Sequence, residues 1–354
     1  MIYFQCFGLL PEVIIKPRRL LLLLAVLVLS GCSLMPSDPY IEPLDQPSPG
    51  QLPSSHLREG AQQQSLPDIT TDQGLPEARA PSIVEDFERL VAESRVRVPP
   101  EVRESSGLAK RHGRLWTHND SGHSPTLYEL SASGDQISRR VRVSNAQNMD
   151  WEDLAQDDTY LYIADCGNNL GDRVWLDIYK VAWRDLDAQP GDGMVSAEKI
   201  QVRMADAEPR VIRHGHNNDC EALTVVGDEL WLFTKNWQDQ HTRLYRIDKH
   251  KPVQELVSSG EFDVQGLITG ADYDSVSGRL ALIGYRLNLF DLSAFVWQVP
   301  VNSQAPEWQY ARYHSISPMG QWEAVLWHQD GLLISQEQSL FGPAKLARLV
   351  LEGP

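Results

Sequence analysis

The sequence predicts an all-β fold, a five-bladed β-propeller, carried behind an export signal and a tether. Three observations predict it. Five related units of about forty to sixty residues follow one another from about Arg95 onward. Each unit holds short β-branched and aromatic strands separated by turn residues, and no long helical period appears between them.

The units align at their starts without gaps. These read Glu104-Ser105-Ser106-Gly107-Leu108-Ala109, Asp150-Trp151-Glu152-Asp153-Leu154-Ala155, Asp219-Cys220-Glu221-Ala222-Leu223-Thr224, Leu267-Ile268-Thr269-Gly270-Ala271-Asp272 and Gln321-Trp322-Glu323-Ala324-Val325-Leu326. Second strands are expected at Arg114–His118, Tyr160–Ala164, Glu229–Thr234, Arg279–Gly284 and Gly331–Ser335. Third strands are expected at Thr126–Leu130, Leu176–Val181, Thr242–Ile247, Phe295–Val299 and Lys345–Val350. Gly113, Asp157-Asp158, Gly227-Asp228, Ser277-Gly278 and Asp330-Gly331 supply the first turn of each unit. The last unit has no fourth strand of its own, so Ser94–Val98 is expected to close the ring and leave no open edge. A sixth blade fits if the long second or fourth unit hides one, and a β-sandwich is the competing architecture. Ile83–Glu93 reads as one short helix ahead of the domain.

Inner strands line a propeller's channel, and side chains alternate faces along a strand. The residue before the small one in each start is Ser106, Glu152, Glu221, Thr269 or Glu323. Glu152, Glu221 and Glu323 should therefore point the same way. The channel is a cheaper place for charge than an apolar blade interior. Three carboxylates in one ring need a cation, bound water or raised pKa values. Hard oxygen donors make Ca²⁺ the candidate ion on these glutamates, against a hydrated channel without an ion.

A second constellation gathers where second strands end and first strands begin. It holds Glu104, Asn119, Asp120, Asp150, Asp165, Asn168, Asn169, Asp219 and Lys235, with Tyr285-Arg286 and Gln336-Glu337 at the strand ends of the last two units, a polar face suited to a sugar, phosphate or peptide. Asn and Asp are also what tight turns need, so ligand contact and turn chemistry both remain open for these residues. The same ends bring Cys166 and Cys220 near each other, either as a disulfide or as two part-buried thiols. His214-Gly215-His216 lacks a third spaced ligand and reads as a loop.

Ahead of the repeats, Lys16, Arg18 and Arg19 form a basic patch and Leu20–Leu29 an apolar run. Residues 1–31 then read as an export signal. The ending Leu29-Ser30-Gly31-Cys32 resembles the lipobox of bacterial lipoproteins, which implies cleavage before Cys32 and lipid on that cysteine. Several acyl chains together give stable anchoring. Ser33, rather than Asp, in the next position implies the outer membrane, facing the periplasm. Residues 32–85, rich in Pro, Ser and Gln, bury too little to fold and read as a disordered tether with a reach of roughly 40 Å; wrapping along the domain is the alternative. Residues 86–354 are the propeller. A formal net charge of −16 argues against nucleic acid, whose phosphates demand basic surfaces, and is compatible with binding cations.

Glu104-Ser-Ser-Gly-Leu108, Leu115-Trp-Thr-His-Asn-Asp-Ser-Gly122, Asp150-Trp-Glu-Asp-Leu-Ala155 and Tyr162-Ile-Ala-Asp-Cys-Gly-Asn-Asn169 resemble a group of secreted bacterial propellers, loosely similar to the SdiA-regulated and phytase-like propellers. The resemblance runs from Glu104 to about Asp274. Its Asp-x-Glu start falls on Asp150 with Glu152 and on Asp219 with Glu221, while Gln321 departs from it. It implies a propeller in the envelope and no particular reaction. Two functions follow as expectations. One is a membrane-anchored module binding a small polar ligand or an envelope protein. The other is a calcium-dependent hydrolase of phosphate esters or glycans, for which clustered carboxylates can serve as acid and base. No G-x-S-x-G or ordered triad accompanies them.

Overall fold

The computed structural model describes residues 88–207, 212–288, 291–302 and 305–351. The export signal, Cys32 and the tether lie outside the described residues. The described chain forms five antiparallel blades. Blade one is Ser105–Arg111, Arg114–Asn119, Thr126–Leu130 and Ile137–Val143; blade two is Trp151–Gln156, Tyr160–Asp165, Leu176–Ala182 and Glu198–Met204. Blade three is Asp219–Val226, Glu229–Lys235, Thr242–Asp248 and Gly260–Phe262; blade four is Leu267–Asp274, Arg279–Asn288, Asp291–Asn302 and Arg312–Ser317. Blade five is Trp322–His328, Gly331–Gln336 and Lys345–Val350, completed by Glu93–Arg97 running antiparallel to Lys345–Val350. The expected closing strand therefore forms, shifted by one residue.

The short helix expected over Ile83–Glu93 does not form where the chain is described. Glu88–Val91 is a strand, parallel to Arg312–Ser317 on the outer edge of blade four. An unpaired sheet edge offers a row of free N–H and C=O groups, and pairing with it outweighs local helix propensity. The same stitch recurs elsewhere. Gly193–Val195, just ahead of the fourth strand of blade two, runs parallel to the outer strand of blade one. Val253–Leu256, just ahead of the fourth strand of blade three, does the same to blade two. In three of the five blades the chain therefore overlaps its predecessor before completing its own sheet.

Apolar residues collect at the seams. Each of five buried clusters lies between two adjacent blades, for example Trp116, Leu127, Trp151 and Leu161 between blades one and two. Inner strands approach closely because one column is small: a Cβ on Gly107 would sit 2.5 Å from the Leu154 nitrogen, and one on Gly270 would sit 2.5 Å from the Glu323 carbonyl. Side chains then tie each inner strand to its neighbour. Gln156 accepts from the Lys110 N–H at 2.9 Å, Thr224 from Tyr273 at 2.9 Å and Asp272 from Trp327 at 2.7 Å. Ser335, on the second strand of blade five, donates to the Ser105 carbonyl at 3.1 Å and closes the circle. Asp153, the one large residue of the small column, reaches furthest. Its carboxylate accepts N–H bonds from Leu154, Leu223 and Ala271 at 2.8, 3.0 and 3.1 Å, joining blades two, three and four.

Candidate functional site at the channel mouth

In every blade the pairing between first and second strands slips once, and the slip falls at the same place. The shifts lie between Ser105 and Leu108, Trp151 and Leu154, Cys220 and Ala222, Ile268 and Gly270, and Trp322 and Ala324. A β-bulge bends its strand and re-aims a side chain. The residues inside the five slips include Ser106, Glu152, Glu221, Thr269 and Glu323, the column the sequence aligned. All five are buried.

One step nearer the face, each second strand places a residue at an equivalent position opposite the start of the first. Asp120, Cys166, Lys235, Tyr285 and Glu337 lie opposite Glu104, Asp150, Asp219, Leu267 and Gln321. The two tiers converge. Lys235 donates to Glu221 at 3.0 Å, with both side chains buried, and its ammonium stands 5.1 Å from the Trp237 ring centre and 5.5 Å from that of Tyr285. Carboxylate oxygens of Asp120, Asp150 and Glu152 lie within 4.8 Å of one another. Gln321 donates to Glu337. The Tyr285 hydroxyl is buried beside the Lys235 ammonium.

The electrostatics follow from burial and crowding. Burial raises the Asp120 carboxyl well above the usual range, and Asp150 adds to it. Asp150 itself rises to about 6, through burial and then Asp219. Burial likewise lifts Glu152, helped by Glu221, and Glu337, helped by Glu323. For Glu221 and Glu323 burial again leads, and Lys235 opposes it. Burial alone would lower the Lys235 ammonium, but Glu221, Glu323 and Asp219 outweigh it and hold it well above the ordinary lysine range. Lys235 thus supplies one cation to the glutamate column, paired directly with Glu221.

The other face residues divide differently. Asn119 accepts from the Glu104 N–H at 3.1 Å and donates to the Glu101 carbonyl at 2.8 Å. Asp165 accepts from the Asp150 N–H at 3.0 Å and stands 3.4 Å from Arg173. Asn168 accepts from the Arg173 N–H at 2.9 Å, and its own N–H goes to Asp219 at 2.7 Å. The second oxygen of Asp219 takes the Trp237 indole N–H, also at 2.7 Å. Asn169 bonds His214 at 2.9 Å, and Glu104 bonds His123. These side chains fasten loops, while Asp120, Asp150 and Lys235 face the mouth beside the glutamates. Cys166 and Cys220 form a disulfide with Cα atoms 5.4 Å apart, tying the end of a blade-two strand to the inner strand of blade three. The adjoining Gly167 packs on Glu152 and Asp150, where an added Cβ would collide with a carboxylate oxygen of each. Sequence reading placed Tyr285 and Glu337 among the strand ends of this face but did not single them out as ligand contacts. Their signal was the column of second-strand ends, which aligns as cleanly as the glutamate column but varies in chemistry from blade to blade.

Among the described residues no helix is long and apolar enough to cross a membrane. The chain matches no protein-family model and no curated protein. Solved structures similar to it include a gluconolactonase from Xanthomonas campestris, at 14% identity and a TM-score of 0.38, covering 69% of this chain and 72% of that one. An exo-β-1,3-galactanase from Phanerochaete chrysosporium is similar at 8% identity and a TM-score of 0.43, covering 69% and 59%. Hydrazine synthase from Kuenenia stuttgartiensis is similar at 11% identity and a TM-score of 0.35, covering 68% and 57%.

Proposed function

We propose that this protein is a lipid-anchored envelope propeller that binds ligands at its channel mouth, with a calcium ion held by Asp120, Asp150 and Glu152. The observation that carries the reading is the mouth itself. Asp120, Asp150, Glu152, Glu221, Glu323 and Glu337 converge there around a single lysine, and three of them bring oxygens within 4.8 Å of one another. Carboxylate oxygens suit a hard divalent cation. The ion moves one step from the glutamate column as first aligned, because Lys235 occupies Glu221 at 3.0 Å. Bound there, calcium would offer open coordination positions to a polar ligand. In this reading the lipid on Cys32 holds the domain at the outer membrane, facing the periplasm. The lipobox-like Leu29-Ser30-Gly31-Cys32 supports it.

Calorimetric titration of the purified protein with calcium tests the site. One saturable calcium is expected, with affinity reduced at least tenfold in Asp150→Asn, since one charged ligand of three is lost. Equal binding by wild type and variant refutes the assignment. A second reading, a calcium-dependent hydrolase, is favoured by one specific pair: the buried Tyr285 hydroxyl beside the Lys235 ammonium, amid carboxyls whose pKa values are raised. Such perturbed groups in a cleft suit acid–base work. Turnover of a phosphate ester or glycan that requires calcium and disappears in Glu221→Gln selects that reading over binding alone.

A further inference from the structure

At the opposite end of the inner strands, blades one and five part to leave a cleft of about 410 Å³. Its apolar wall is Leu115, Leu333 and Leu346, two of them buried. Its polar wall is Lys110, His328 and Arg348. The Lys110 ammonium donates to His328 Nδ1 at 2.9 Å, which makes that ring nitrogen an acceptor and leaves the imidazole neutral. Burial and the neighbouring Lys110 and Arg348 cations depress the His328 pKa in the same sense. Arg348 pairs through one Nη with the exposed Asp330, and its Nε is buried without a partner. A buried guanidinium N–H without an acceptor costs free energy until something accepts from it. The cleft therefore presents two cations against an aliphatic wall.

We infer that this cleft binds an anionic amphiphile, a carboxylate or phosphate head toward Lys110 and Arg348 with its aliphatic body along Leu115, Leu333 and Leu346. The head accepts from the Lys110 ammonium and the Arg348 guanidinium, and charge-assisted bonds of this kind are the stronger ones. The body covers apolar surface that water otherwise wets. The site stands apart from the acidic mouth and does not depend on calcium there.

The test uses the full chain carrying Cys32→Ser, so that no attached lipid competes. Calorimetry with decanoate below its micelle concentration is compared with decanol. Saturable one-to-one binding of decanoate is expected, at least tenfold tighter than decanol. Arg348→Gln should weaken it at least tenfold. Ala132→Trp, an exposed rim position, should block it without touching a charge. Vesicles of phosphatidylglycerol, set against phosphatidylcholine, separate the sources. Sedimentation with the former that both variants abolish assigns a membrane lipid; decanoate binding without sedimentation assigns a soluble acid. No saturable decanoate binding, equal binding of decanol, or binding unchanged in both variants overturns the inference.

Discussion

Lys235 is the residue on which the mouth turns. It is buried, it pairs with Glu221 at 3.0 Å, and the field of six further carboxyls, those of Asp120, Asp150, Glu152, Asp219, Glu323 and Glu337, reaches it or is eased by it. Removing one partner of a buried ion pair strands the other, at about 3–5 kcal/mol. Lys235→Met should accordingly lose about 3 kcal/mol at pH 7.5, measured by denaturant unfolding without added metal. The sign of its pH dependence follows from Glu221. Burial raises that carboxyl, and losing the lysine raises it further, so the folded variant holds a proton there that the unfolded chain has already released. A raised pKa contributes stability at low pH that is lost as pH rises through the folded value. The deficit of the variant should therefore shrink at pH 5, and a deficit independent of pH would contradict the pairing argument. Sequence alone showed the three glutamates, because a five-fold repeat lines them up. It did not show what neutralises them. Lys235 was placed on the face among the polar residues, and its role depends on a strand end from blade three bending over a bulge in the same blade.

At the scale of the element, the bulge and the loop after it set the site. All five inner strands slip at one position, and the small residue that follows lets adjacent blades close up. The strand starts and turns were legible because Gly, Asp and Asn mark them. The bulges were not, since an extra residue leaves no distinct trace in a pattern of period two. The parallel stitches between blades were equally hidden. Gly193–Val195 and Val253–Leu256 are too short to announce themselves, and they exist only because a neighbouring edge is there to pair with. The cysteines were legible as a pair and open as to state. Their disulfide spans a sequence separation of 54 residues and holds the turn whose Gly167 supports Asp150 and Glu152. Cys166→Ser with Cys220→Ser should cost about 2–4 kcal/mol by the entropy of the opened loop. Under the proposed calcium site it should also weaken calcium binding, because Gly167 no longer backs the two carboxylates. The double variant compared with wild type, in denaturant and in calcium titration, checks both; loss of stability with unchanged calcium affinity would confine the disulfide to a structural role.

At the scale of the molecule, closure is what a ring of blades most needs, and it rests on ten residues at the start of the domain. Glu88–Val91 covers the edge of blade four, and Glu93–Arg97 completes blade five against Lys345–Val350. Leu90 and Ala92 are buried in the seam between those two blades, and Val98, just beyond, in the seam between blades five and one. Deleting residues 1–97 should therefore do more than trim a strand. It bares the edges of Arg312–Ser317 and Lys345–Val350, which are templates for pairing with another chain. It also opens two seams to water. The sequence predicts the second of these strands, through the missing fourth strand of the last unit, but assigns the first to a helix. The two readings have different consequences. If only blade five gained a strand, a chain beginning at residue 92 would keep its cooperativity. With blade four covered as well, that chain should already unfold earlier than one beginning at residue 86, and a chain beginning at residue 98 should form large assemblies on size-exclusion chromatography and lose its cooperative thermal transition. A chain beginning at residue 92 with an unchanged midpoint would mean that the edge of blade four does not need its cover, and that ring closure depends on blade five alone.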